Sequence, residues 1–270
     1  MTNNTEILDR IHSALEAARA VLKTFTPGAI ETEYKSGHDP VTEADRAVDA
    51  LLHKHLLREG EGWLSEETVD DVSRLQKRRV WVVDPLDGTR EFVTGIPEFC
   101  VSIGLVEDGI PVAGGICNPA TDELIIGSLQ TGVTCNGKPA RVSSKSNLSG
   151  ATVLASRSET KRGEWRQFES AAFKIRPMGS VAYKLGLVAA GLADITFTLT
   201  PKHEWDVAAG VALVNSAGGF TGGLRESQLR FNQQKPWLPG MIACNALLRD
   251  DLLSLLRNHA NPAEPAEVGQ

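Results

Sequence analysis

Ile7, Ile11, Leu15, Ala18 and Leu22 recur three or four positions apart, which predicts an amphipathic helix over the first two dozen residues, ending at Pro27-Gly28. A short strand is expected next. Thr42 then opens a second helical pattern, with Val48, Leu51, Leu52, His55 and Leu56 along one side, running out at Glu59-Gly60. From Val80 the period changes. Val80 to Val83, Cys100 to Val106, Val112 to Cys117 and Glu123 to Gly127 are short strand-like runs between turn residues. This half reads as α+β, with helices packed on an antiparallel or mixed sheet.

Serine and turn-forming residues dominate 143–150, and beyond them strands and helices alternate. Strands are expected at Thr152 to Ala155, Lys174 to Arg176, Asp194 to Phe197 and Gly240 to Ala243. Helices are expected at Thr160 to Ala172, Val181 to Ala190, Val207 to Ser216 and Ala246 to Leu256. Such alternation predicts an α/β second half. The expected organisation is an α+β subdomain over 1–142, an α/β subdomain over 143–258 and a flexible tail over 259–270, where Pro262 and Pro265 interrupt a polar stretch. The glycines of Ala217 to Gly223 lack the order of a dinucleotide or P-loop motif and are assigned to a tight turn.

Composition narrows the function classes. The 270 residues are 41% hydrophobic and 23% charged with a net charge of −6, which fits a folded soluble chain. No basic block provides a footprint for polymeric nucleic acid. The polar start and the lack of a long apolar run exclude a signal peptide and a membrane span. Cys100, Cys117, Cys135 and Cys244 stand far apart, so reduced thiols and a cytoplasmic location are expected rather than a zinc framework. His53 and His55, two apart on a helix, point to different sides and make no zinc pair.

Acidic residues carry the candidate chemistry. In Asp84-Pro85-Leu86-Asp87-Gly88-Thr89 a buried strand ends, a proline stiffens the exit and Gly88-Thr89 fits a turn into a helix. Two carboxylates and the Leu86 carbonyl can converge there beside amides of Gly88 and Thr89, a combination suited to magnesium and phosphate. Asp-Pro and Asp-Gly are also ordinary turn dipeptides, and the segment alone leaves both readings open. The same holds elsewhere. Ser65-Glu66-Glu67 follows a strand end and reads equally as a solvated turn, Thr42 and Asp45 have capping-box spacing, and Asp206 sits at a helix start.

Together these segments resemble the inositol monophosphatase superfamily of magnesium-dependent, lithium-sensitive phosphatases. The likeness is carried by Asp39-Pro40-Val41-Thr42-Glu43-Ala44-Asp45, Ser65-Glu66-Glu67, Asp84-Pro85-Leu86-Asp87-Gly88-Thr89 and Trp205-Asp206-Val207-Ala208-Ala209-Gly210, within residues 6–258. It implies a layered α/β/α/β/α sandwich and two or three Mg2+ ions held by Glu66, Asp84, Asp87, Asp206 and the Leu86 carbonyl. It also implies a catalytic set of Asp45, Thr89 and Glu66, in which Thr89, held by Asp45, orients and helps deprotonate the attacking water. Gly88 and Thr89 would bind the phosphate.

Ser156-Arg157-Ser158 and Gly179-Ser180, the latter ahead of Lys184, resemble the 3′(2′),5′-bisphosphate nucleotidase branch linked to sulfate assimilation. In that reading Ser156, Arg157, Ser158, Gly179, Ser180 and Lys184 contact a substrate such as adenosine 3′,5′-bisphosphate, although Arg157 and Lys184 also fit plain surface charges. Glu159 stands where the branch often has histidine. The inositol monophosphatases commonly place a glutamate seven residues before the Trp-Asp aspartate, where this chain has Leu199, and Glu204-Trp205-Asp206 is closer to the nucleotidases. The favoured activity is therefore removal of the 3′-phosphate of adenosine 3′,5′-bisphosphate. Inositol 1-phosphate or a related sugar phosphate is the alternative substrate, and a catalytically silent phosphate-binding regulator the alternative of another class. A small phosphorylated molecule is the expected partner. A homodimer is compatible with the superfamily.

Overall fold

The computed structural model describes residues 4–34, 40–224 and 228–259. Asp39 and the expected tail beyond His259 lie outside the described residues. The first helix, α1 (Asn4–Leu22), buries Ile7, Ile11, Leu15, Ala18 and Leu22, the five positions its periodicity puts on one face. The short strands β1 (Thr32–Tyr34) and β2 (Pro40–Thr42) pair antiparallel. Helix α2 (Glu43–Leu56) follows, capped by Thr42, whose hydroxyl oxygen accepts the Ala44 amide.

A seven-stranded sheet comes next in chain order: β3 (Gly62–Ser65), β4 (Arg79–Asp87), β5 (Cys100–Glu107), β6 (Ile110–Asn118), β7 (Glu123–Ser128), β8 (Gly132–Cys135) and β9 (Lys138–Ala140). The short helix α3 (Thr89–Thr94) lies between β4 and β5. Only the β3–β4 pair is parallel, so the sheet is mixed.

The second half contributes β10 (Thr152–Ser156), α4 (Arg157–Lys161), β11 (Lys174–Met178), α5 (Val181–Ala189), β12 (Ile195–Thr198) and β13 (Lys202–His203). It continues with α6 (Glu204–Ser216), β14 (Gly219–Gly222), β15 (Trp237–Leu238), β16 (Met241–Asn245) and α7 (Arg249–His259). Five of these strands form a sheet in the order β11-β10-β12-β16-β14, with β10 parallel to both neighbours. Strands β13 and β15 pair separately.

Helices α1 and α2 cover one face of the large sheet, and α5 and α6 fill the space between the two sheets. On the far side, Leu252, Leu253 and Leu256 of α7 cluster with Ile195, Phe197 and Ile242. The result is the α/β/α/β/α layering that the resemblance implies. Between the sheets, Val80 and Val82 of β4 share one core with Leu185 of α5, Val207 and Leu213 of α6, and Ala243 of β16. Helix α6 sits at backbone contact with β5 and β6. A Cβ at Gly104 would stand 2.9 Å from the Ala209 nitrogen, and one at Gly114 2.7 Å from the Ala209 oxygen, so glycine lets α6 settle this deeply.

Two sequence expectations need correction. The helix expected from Thr160 to Ala172 is broken into the end of α4 and a single 3-10 turn over Arg166–Phe168, because Gly163 turns the chain at φ 82°. Trp165, Phe168 and Phe173 pack together there, and their spacing imitates an α-helical stripe without forming an α-helix. The glycine-rich stretch assigned to a turn supplies the edge strand β14, whose partner β16 dictates its extended form.

Candidate active site

Asp84 and Asp87 are three residues apart, and in a regular strand an odd separation sends side chains to opposite faces. The register between β4 and β5 breaks here, since Asp84 opposes Ser102 while Asp87 opposes Cys100. One extra residue in β4 brings both carboxylates to the same pocket. The chain then turns at Gly88, φ 96°, where a Cβ would stand 2.8 Å from the Glu98 carbonyl oxygen, and enters α3 at Thr89. Asp84, Leu86, Asp87, Gly88 and Thr89 line a cavity of about 360 Å³ together with Glu66, Asp206 and residues of the second half.

Each aspartate is anchored through one carboxylate oxygen. Asp84 Oδ1 accepts the Leu86 amide at 3.0 Å, Asp206 Oδ2 the His203 amide at 3.0 Å, and Asp87 Oδ2 the Ser180 hydroxyl at 2.6 Å and the Ala182 amide at 2.5 Å. Asp45 Oδ2 accepts the amide and hydroxyl of Thr42 at 2.7 and 2.6 Å. Its other oxygen, Oδ1, faces the Thr89 hydroxyl at 3.0 Å, and that hydroxyl is also 3.0 Å from the Leu86 carbonyl oxygen. The capping and site readings of Asp45 therefore hold at once, one on each oxygen. Glu66 comes from the loop after β3, which Asp49 of α2 secures by accepting the Ser65 and Thr68 hydroxyls at 2.5 and 2.7 Å. Asp49 has no sequence signal, because its partners only become neighbours when α2 packs beside β3.

The electrostatics show what the carboxylates lack. Burial, then the charges of Glu66, Asp87 and Asp206, push the Asp84 carboxyl well above the usual carboxylate range. Asp206 is driven up by desolvation and by Asp87 and Glu66, and Asp87 is raised by burial in spite of the Ser180 hydrogen bond and the charge of Lys184. Burial also raises Asp45. This excess of negative charge fits a hard divalent cation with oxygen ligands. Among the described residues no three His, Cys, Asp or Glu side chains close on one point.

The second half supplies the opposite wall. Ser156, Arg157, Ser158, Gly179, Ser180 and Lys184, all expected to contact substrate, line the cavity. Ser156 caps α4, and Arg157 forms an ion pair with Glu98 and lies 3.7 Å from Glu91. The Gly179 amide donates to Glu98 at 2.7 Å. Ser180, at φ 52°, caps α5 by accepting the Tyr183 amide at 3.0 Å while its hydroxyl holds Asp87. Lys184 is buried, its ammonium 2.7 to 3.4 Å from the carbonyl oxygens of Met178, Gly179 and Ser180, and burial pushes it down to about 8. Lys202, which sequence reasoning passed over, also lines the cavity. His203 packs between Trp205, with ring centres 4.2 Å apart, and Trp237, at 4.3 Å. Glu204 turns away to accept the Asn232 and Gln233 amides at 2.7 and 2.9 Å.

Fold and site define a layered α/β protein with an acidic, water-accessible pocket at the ends of its strands and helices. The model of the inositol monophosphatase family matches residues 3–259. Inositol monophosphatase 3 of Solanum lycopersicum is 34% identical over 272 residues, covering 95% of this chain and 99% of the relative. Among solved structures, an inositol monophosphatase from Anabaena (Nostoc) sp. PCC 7120 matches with a TM-score of 0.79 and 30% identity over 97% of this chain and 99% of that one. CysQ from Bacteroides thetaiotaomicron, a bacterial member of the family, matches with a TM-score of 0.73 and 26% identity over 88% and 97%. The chain belongs to the inositol monophosphatase family. Among the described residues no helix is long and apolar enough to cross a membrane.

Proposed function

We propose that this chain is a magnesium-dependent phosphomonoesterase in which Glu66, Asp84, Asp87, Asp206 and the Leu86 carbonyl hold the metal. The observation that carries this reading is the gathering of these groups, with the Asp45–Thr89 pair, around one pocket. When bound, magnesium supplies charge stabilisation for the phosphoryl group and makes water more acidic. Thr89, its hydroxyl held by Asp45, orients the attacking water. As the water gives its proton to Thr89 Oγ1, the Thr89 proton moves to Asp45 Oδ1, which burial has made a better base. The amides of Gly88 and Thr89 bind a phosphoryl oxygen.

The substrate we infer is adenosine 3′,5′-bisphosphate, losing its 3′-phosphate. Cationic side chains on the pocket wall, Lys202 among them, support a doubly phosphorylated substrate, and Leu199 packs against the C-terminal core where a polyol-binding glutamate would be needed. A second reading, inositol 1-phosphate hydrolysis, is favoured by the naming of the tomato relative as an inositol monophosphatase. Phosphate release from adenosine 3′,5′-bisphosphate, inositol 1-phosphate and fructose 1,6-bisphosphate, compared by kcat/KM in saturating magnesium, separates them. A nucleotide preference of about tenfold or more, about 1.4 kcal/mol, supports the first reading. Preference for inositol 1-phosphate replaces it with the second. Binding without phosphate release under any metal condition identifies a silent phosphate-binding protein.

A further inference from the structure

Four cations of the second half, Arg157, Arg162, Lys184 and Lys202, border the cavity, and their hydrogen-bonding partners set them apart. An ammonium has three N–H donors. Lys184 faces three backbone carbonyl oxygens, of Ser180 at 2.7 Å, Gly179 at 3.3 Å and Met178 at 3.4 Å, so all three donors serve the loop that presents Ser180 to Asp87. Arg157 lies against two carboxylates, Glu98 and Glu91, which offset its single charge. Arg162 is ion-paired with Glu164 at 2.5 Å. Lys184 thus has no N–H left for a ligand, and both arginines already serve carboxylates.

Lys202 differs. Its side chain is only 17% exposed, so its apolar stem is packed while its head borders the cavity. Its ammonium donates to the Thr200 hydroxyl at 3.0 Å and stands 3.5 Å from Glu159 Oε1, longer than a good hydrogen bond. That carboxylate is shared. Glu159 Oε1 already accepts the Thr198 and Thr200 hydroxyls at 2.5 and 2.7 Å, and Oε2 accepts the Trp165 indole N–H at 3.1 Å. These hydrogen bonds, with the charge of Lys202, hold the Glu159 carboxyl below its ordinary range in spite of burial. Glu159 is thus a fixed anchor that positions Lys202, whose ammonium keeps an N–H donor beyond the two partners described.

We infer that Lys202, positioned by Glu159 and Thr200, is the contact for a second anionic group on the substrate. This inference rests on the phosphomonoesterase reading and gives the second phosphate of the proposed bisphosphate substrate a named partner. The geometry also gives a place to Glu159, the residue that departs from the nucleotidase pattern. It lies behind the cavity wall as the support of a cation and makes no ligand contact of its own.

The test is the ratio of kcat/KM for adenosine 3′,5′-bisphosphate to that for adenosine 3′-monophosphate, measured for wild type, Lys202→Met and Lys202→Arg in saturating magnesium. Lys202→Met should lower the ratio about tenfold or more, mainly through KM for the bisphosphate, the scale of a lost charge-assisted hydrogen bond. Lys202→Arg should restore much of it. Glu159→Gln should move the ratio the same way by a smaller factor. Equal losses on both nucleotides, which leave the ratio unchanged, would mean that Lys202 serves the transferred phosphoryl group or the fold, and would overturn the inference. So would a wild-type enzyme that hydrolyses inositol 1-phosphate and neither nucleotide, although the phosphatase reading would then stand. If wild type releases phosphate from no ester, that reading fails by itself. Calorimetric binding of adenosine 3′,5′-bisphosphate then decides the Lys202 contact, a tenfold weaker affinity for Lys202→Met supporting it and equal affinity overturning it.

Discussion

The Thr89 hydroxyl lies 3.0 Å from Asp45 Oδ1, although the two residues are 44 positions apart and open different helices. If the pair activates water, Thr89→Ala should lose about a hundredfold or more in turnover, whereas Thr89→Ser should keep substantial activity. Asp45→Asn should resemble Thr89→Ala, and the double variant should be scarcely worse than either, since the pair acts as a unit. Independent, multiplicative losses in steady-state kinetics would dismiss the pair as a water-activating device.

Asp87 tests the metal assignment. Asp87→Asn keeps the size of the side chain while removing its charge, and the anchoring Ser180 hydroxyl and Ala182 amide still have an oxygen to donate to. Turnover should fall about a hundredfold or more, on the scale of losing one preorganised electrostatic group, with near-UV circular dichroism unchanged. A variant with near-wild-type rate in saturating magnesium would remove Asp87 from the ligand set.

Magnesium should stabilise the fold more strongly as pH rises. Asp84, Asp87 and Asp206 have carboxyls raised in the folded state, chiefly by desolvation. A folded state that holds protons more tightly than the unfolded chain gains stability at low pH and loses it as pH climbs from about 4 through the raised values. Magnesium offsets the charge left behind. At about a hundredfold excess over its dissociation constant it should contribute about 2.7 kcal/mol, a rise in Tm of about 5 °C or more near pH 8 and less near pH 5. Thermal melts with magnesium and with a chelator measure this directly. A magnesium effect independent of pH would contradict the carboxylate origin of the site, and full activity after exhaustive chelation would contradict the metal mechanism. Calcium should inhibit, because its larger and more flexible shell disturbs the geometry magnesium sets.

Gly114→Ala should couple stability to the site. The added Cβ would meet the Ala209 carbonyl oxygen, a backbone atom of α6 that has no rotamer to yield. Urea unfolding should show a loss of about 1–3 kcal/mol. Because α6 also carries Asp206 in its first turn, KM for magnesium should rise in the folded enzyme. An unchanged midpoint would mean that α6 does not depend on this close approach.

Local signals in the chain determined the elements whose physics is local. The α1 stripe from Ile7 to Leu22, the Thr42 cap and the apolar runs of β4 to β7 each follow from a period or a short motif. The family resemblance carried by the acidic motifs implied that Glu66, Asp84, Asp87, Thr89 and Asp206 share one site, and all five line the pocket. Tertiary structure decided the rest. Residues 162–173 carry a helical spacing of apolar groups, yet aromatic packing and Gly163 shape them otherwise. Strand β14 exists because β16 lies beside it. The extra residue in β4 that turns Asp84 and Asp87 to one side appears only in its pairing with β5. The same is true of the cations: Arg157, Lys184 and Lys202 are equal in the sequence, and the carboxylates and carbonyls that surround them after folding determine which keeps an N–H donor for a ligand. Sequence spacing specifies the contacts within a helix or strand, while hydrogen-bond partners and desolvation come from residues far apart in the chain.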